Sequence, residues 1–211
     1  MLNMNIATIV IIVANVLISI KGFNDFEFFE KYKFNVGAIK RGEQIRMITS
    51  GFLHANFNHL LFNMLTLFFF APIVIAYLGT VIFVIIYLAS LALGSIVSLY
   101  FHQKEYNYSA IGASGAVMGI LYSAILFEPM MRINFIIPAW VFGIGYLGYS
   151  VWAMKQNSDN VGHDAHIGGA IGGYILTIAF APSLLQTSLW LVGVLALPVI
   201  VLFVMHKSGK I

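Results

Sequence analysis

The chain contains no cysteine, which excludes disulfides and thiolate metal sites and leaves the redox compartment open. Charge is nearly as scarce. Asp, Glu, Lys and Arg make up 9% of the residues against 60% hydrophobic, where a soluble domain carries about 25% charged. The net charge of +3 is small and dispersed, so no nucleic-acid partner is implied. The first apolar run has no basic leader and no small-residue cleavage site after it, and it reads as a span rather than a signal peptide.

What fills the chain is long stretches free of charge: residues 1–20, 47–103, 106–127, 133–154 and 165–206. At about 20 residues per crossing, the second and last each hold two spans. Gly and Pro divide them at Leu78-Gly79-Thr80 and Ala181-Pro182-Ser183. Seven helices are predicted, over about 4–20, 57–77, 80–101, 110–127, 134–154, 162–181 and 184–206. The fold class is an all-α polytopic membrane bundle in one domain, 1–211, with its core over about 46–181 and an extra C-terminal helix.

Residues 21–56 form the one long connection. They carry Lys21, Lys31, Lys33, Lys40, Arg41 and Arg46 against Asp25, Glu27, Glu30 and Glu43, with Phe23, Phe26, Phe28, Phe29, Tyr32 and Phe34 between. Such a mixture suits a segment lying at the headgroup level, or equally a solvated loop with aromatic anchors.

Polar side chains inside apolar spans are costly and mark functional sites. Spans 2, 4 and 6 must run parallel, because one antiparallel span separates each from the next. Their N-terminal ends therefore share a membrane face, and there lie His54, His59 and Asn63, then Ser114, then His166. Gly115 with Gly119, and Gly169 with Gly173, are small-xxx-small pairs that let two helix backbones approach. His166 shares a stripe with Gly169 and Gly173 at i, i+3 and i+7. A serine brought to a histidine away from water points to nucleophilic catalysis. His166 would be the general base, and His59, Asn63 and the Ser114 backbone N–H would be oxyanion donors. Asp164, two residues from His166, points away from it on a helix.

Together these residues resemble the rhomboid family of intramembrane serine proteases, over a stretch from about Arg46 to Gly173. The motifs are Arg46, then His54-Ala55-Asn56-Phe57-Asn58-His59 followed by Asn63, then Gly112-Ala113-Ser114-Gly115, then Ala165-His166-Ile167-Gly168-Gly169. The resemblance implies a Ser114–His166 dyad, an oxyanion site with His59 and Asn63, and a water-filled cavity open to the extracytoplasmic side. Arg46, His54, Gly112, Gly115, Met118, Gly119, Gly169 and Gly173 would be structural support. It also implies transmembrane proteins as substrates, in contact with membrane lipid in the bacterial plasma membrane. No cofactor is implied. Three departures stand out: Ile45 where the family has Trp, Met118 where it has Tyr or Phe beside the histidine, and a seventh span after a six-helix core.

Other readings exist for each group. Ser114 could be an interface serine, and His54 reads as a structural histidine bonding the first loop. His102, His163 and His206 read as hydrated side chains at loops or helix ends. His54 and His59 are five apart with no glutamate between, which argues against a zinc protease helix. A rhomboid-like protein that binds transmembrane helices without cleaving them is the alternative function. Substrate access is expected laterally, between spans 2 and 5, past Trp140 and Phe142, with residues 155–162 as a cap. The family orientation places the first loop, Ser114 and the C-terminal tail outside, against a pull on the loop's six cations toward the cytoplasm. The oligomeric state is not encoded in any motif.

Overall fold

The computed structural model describes residues 5–133, 136–156 and 161–208, and its long elements are all helices. Helix α1 (Ile6–Asn24) is capped by Asn5, whose Oδ1 accepts the Ala7 N–H at 2.9 Å. Its buried residues are Thr8, Asn15, Ser19 and Gly22, while Val10, Val13, Leu17 and Ile20 are exposed. This inverts the pattern of a water-soluble helix, as a lipid solvent requires. The polar face joins α1 to its neighbour, with the Asn15 amide donating to Tyr87 OH at 3.3 Å and the Asn5 amide to Thr80 Oγ1 at 2.8 Å.

The first connection is folded rather than a solvated loop. Asp25 ends α1 and caps α2 (Phe26–Tyr32), accepting the Phe28 N–H. Strand β1 (Phe34–Asn35) is followed by α3 (Val36–Lys40), which Asn35 caps through the Ala38 N–H. Helix α4 (Arg46–Thr49) and one 3-10 turn complete the loop. Phe34, Val36 and Ile39 are buried, whereas Phe23 and Phe26 face outward. Arg46 holds this fold together. Its Nη1 donates to the carbonyls of Glu30 (2.7 Å) and Lys33 (3.1 Å), and its Nε reaches Glu43 at 2.8 Å.

Helix α5 (Phe57–Phe101) is interrupted at Gly79, with φ 80° and ψ 166°. A Cβ there would meet nothing within 4 Å, so glycine supplies the left-handed dihedral rather than room. The expected break at Leu78-Gly79-Thr80 falls at this point, and the chain doubles back. Thr80 meets Asn5 at the start of α1, and the Tyr77 hydroxyl donates to Glu128 at 2.6 Å just past the end of α6. Residues on either side of α5, His54 and His102, meet instead the opposite end of the bundle.

Between α5 and the next helix runs β2 (Ser109–Ala110), antiparallel to β1 with Phe34 opposite Ala110 and Asn35 opposite Ser109. Helix α6 (Ser114–Phe127) is the centre of the bundle, buried at every residue from Gly115 to Leu126. The expected helix over 110–127 begins four residues too early, since 110 belongs to β2 and Gly112 takes a φ of 120°. A 14-residue helix is about 21 Å long, short of a hydrocarbon core of about 30 Å. One end of α6 therefore lies below the membrane surface.

A hairpin of β3 (Arg132–Ile133) and β4 (Ile137–Pro138) leads into α7 (Ala139–Gln156), so the span predicted from 134 starts at Ala139. Helix α8 (His163–Phe180) lies where expected. The single helix expected over 184–206 is divided at Ser188 into α9 (Leu184–Thr187) and α10 (Leu189–Lys207). Helix α10 packs on α7, with Trp190 edge-on to Trp140 at 5.8 Å.

Candidate active site

Helices α6 and α8 touch backbone to backbone. A methyl on Gly169 would overlap the carbonyl of Gly115, and one on Gly173 the carbonyl of Gly119. The two small-xxx-small pairs thus face each other as the spacing predicts. Gly115 itself lies against the Ala165 carbonyl, where a Cβ would be 3.2 Å away. The contact sets the heads of the two helices side by side, Ser114 as the first residue of α6 and His166 in the first turn of α8.

The chain reaches Ser114 through a loop held by backbone and imidazole. Gly112 N–H donates to the Ser50 carbonyl at 3.0 Å. In its left-handed conformation it makes room for a ring. A Cβ there would sit 2.7 Å from His59 Cε1 and 2.8 Å from Nε2, with Ser114 Oγ at 3.7 Å. His59 and the serine hydroxyl therefore border one small space above Gly112. His54 is fully buried, its Nε2 3.4 Å from the Ala113 N–H and its Nδ1 2.8 Å from Ser19 Oγ. Ser19 in turn donates to the Phe52 carbonyl. A single neutral tautomer fits this chain, with Nδ1–H donating to Ser19 and Nε2 accepting from Ala113. His54 thus ties α1 to the serine's loop, the structural role read from the sequence. Asn63, on α5 one turn after His59, spends one amide hydrogen on the His59 carbonyl at 3.1 Å and lines the same cavity.

His166 is 6% exposed, and its Nδ1 lies 2.9 Å from the Tyr146 hydroxyl of α7. Among the described residues no hydrogen bond closes between Ser114 Oγ and His166. Such bonds are often long before substrate binds. Tyr146 was not legible in the sequence. Its hydroxyl gave no distinct signal, because the same span also carries Tyr149 and Ser150.

The remaining polar groups differ from their expected places. Asp164 is indeed turned from His166, but it is buried, with Oδ2 3.6 Å from His102 Nε2. Burial first, then the Asp164 and Glu105 charges, push the Tyr108 hydroxyl far above its ordinary range, so it stays a donor. His102 is stacked on Tyr108 at 3.5 Å, His163 is buried with Nδ1 3.2 Å from Ser150 Oγ, and His206 Nε2 meets the Tyr100 hydroxyl at 2.9 Å. All three had been expected as hydrated side chains. They pack because bundle ends, unlike bundle middles, bring loop and helix polar groups together. Trp140 faces α10 rather than the side of α5. Residues 157–160 of the expected cap lie outside the described residues.

Ser114, His166, His59, Asn63, Phe142 and Tyr146 all border one cavity of about 1200 Å³. Polar side chains bordering a partly open cavity inside an apolar helical bundle define an integral membrane protein with a polar site among its helices. The chain belongs to the rhomboid family: the model of the Rhomboid domain matches residues 41–183. Among curated relatives, the putative rhomboid protease YdcA of Bacillus subtilis is 35% identical over 145 residues, 68% of this chain and 70% of that protein. Rhomboid protease GluP of the same organism is 36% identical over 149 residues, 67% of this chain and 27% of GluP. RHOMBOID-like protein 12, mitochondrial, of Arabidopsis thaliana is 27% identical over 181 residues, 77% of this chain and 54% of that protein. The chain thus spans about half of one of these relatives and about a quarter of another.

Proposed function

We propose that this protein is an intramembrane serine endopeptidase that cleaves transmembrane segments with Ser114 as nucleophile and His166 as base. The observation that carries the reading is the glycine-to-glycine contact of α6 with α8, which sets both groups at the head of adjacent helices on one cavity wall. As Ser114 Oγ bonds to the scissile carbonyl carbon, its proton passes to His166 Nε2. The C–N bond then breaks and that proton leaves on the amine. Water, deprotonated by the same nitrogen, hydrolyses the ester. The His59 ring, the second amide hydrogen of Asn63 and the Ser114 backbone N–H at the positive end of α6 serve the oxyanion.

Substrates of this reaction are membrane proteins whose spans reach the cavity sideways, between the first arm of α5 and α7. Helix α7 packs chiefly on α8 and α10, which leaves that seam the loosest wall. The membrane is the bacterial plasma membrane, with Ser114 toward the extracytoplasmic side. A fluorophosphonate tests the chemistry, because labelling needs an activated hydroxyl. Wild-type protein in detergent is expected to label at Ser114, with Ser114→Ala and His166→Ala both blank. Folded wild-type protein that takes no label and cuts no transmembrane substrate would move the assignment to a helix-binding protein without catalysis.

A further inference from the structure

His166 can serve as base only if the nitrogen facing Ser114 carries a lone pair, which means that the neutral ring must hold its proton on Nδ1. A tautomer is set by the hydrogen bond made at the other nitrogen. The carboxylate nearest in sequence, Asp164, faces His102 instead, and position 118 on α6 offers a thioether. What meets Nδ1 is the Tyr146 hydroxyl, at 2.9 Å, with ring centroids 5.8 Å apart and planes inclined by 37°. The Tyr146 ring is itself seated on Phe142, stacked at 5.8 Å and 21° one helical turn away.

Resting on the Ser114–His166 reading, we infer that Tyr146 is the positioning residue of the base: its oxygen accepts Nδ1–H, selects the tautomer with Nε2 unprotonated, and keeps an acceptor for Nδ1–H when the imidazolium forms. It acts through His166 and touches no reacting atom. The partner of the base therefore comes from α7, outside the α6–α8 contact, and the seating of α7 becomes a condition of serine activation. Since α7 is the wall proposed to admit substrate, an opening that carried α7 away from α8 would also part Tyr146 from the base.

The test uses the full chain in detergent micelles with ring-15N histidine, the His166 signals being assigned by their loss in His166→Gln. The wild type is expected to show a protonated Nδ1 and a lone pair on Nε2. In Tyr146→Phe, which keeps the ring and its stacking, the tautomer should become mixed or invert. Turnover of a transmembrane substrate should then show kcat about 10- to 100-fold lower with KM within about twofold. Tyr174→Phe, which removes the hydroxyl that α8 donates to the Val192 carbonyl, should change neither. A wild-type ring protonated on Nε2 overturns the inference, as does a Tyr146→Phe protein with unchanged tautomer and kcat. A wild type that shows the expected tautomer but neither labels nor cleaves defeats the protease reading and leaves the Tyr146 assignment standing on the spectrum.

Discussion

His54 lies in the coil ahead of α5, outside the spans. Burial first, then the neighbouring His59 ring, holds its imidazole far below the ordinary range, at about 3. An unfolded chain titrates this group near 6.5. Between these limits the unfolded state binds a proton that the folded state refuses, so stability is greatest above about pH 6.5 and falls as the pH drops toward 3. The limiting slope for one group is about 1.4 kcal/mol per pH unit. Thermal unfolding of the wild type should therefore fall more steeply from pH 6.5 to 4.5 than that of His54→Gln, whose amide can still bond both Ser19 and Ala113. Parallel curves would sink this account of His54. Asn63 carries a separate expectation. Asn63→Ala should slow peptide cleavage on the order of a hundredfold if it supplies one oxyanion donor, with fluorophosphonate labelling reduced but present. The residues with polar side chains at span ends were legible in the sequence as a group, because depth alone singles them out. Their pairings, Tyr146 with His166 and His102 with Tyr108, were not, because a contact between elements leaves no periodic trace.

Helices α6 and α8 are the elements on which the site depends, and their contact was readable from spacing, since four-residue glycine repeats define a stripe. At Gly169 the neighbour is a backbone carbonyl that no rotamer can move, so even one methyl must push the helices apart. Gly169→Ala is expected to cut the rate of Ser114 labelling by more than tenfold, because a shift near 1 Å disables a preorganised pair. Gly145→Ala and Gly148→Ala on α7, where a Cβ meets nothing within 4 Å, should label at the wild-type rate. Full labelling of Gly169→Ala would show that the close approach is dispensable. Helix ends were less legible. The start of α6 was placed too early because Gly112 is bent by a non-local partner, the His59 ring, and the division at Ser188 carries no Gly or Pro.

For the whole molecule, the long helices among the described residues followed from charge-free length, and the reversal within α5 from a single glycine. Orientation is harder to read, since the cations of the first loop pull against the family pattern. Single cysteines replacing Lys31 and Lys104, which lie toward the Ser114 end, should react with an impermeant thiol reagent added outside intact cells. A cysteine replacing Glu128, just past the far end of α6, should react only after lysis. The reverse result would turn the molecule over in the membrane.

Strand β1 belongs to the first loop and β2 to the segment that delivers Ser114, and their short ribbon joins residues 34–35 to 109–110. Arg46 locks the same loop through the carbonyls of Glu30 and Lys33. The surface loop of this protein is thus joined to the segment that carries Ser114. On the proposed Ser114 chemistry, an antibody fragment or small molecule that reshapes the loop from the aqueous side need never cross into the bilayer to silence the serine, and an inhibitor of that kind can be polar.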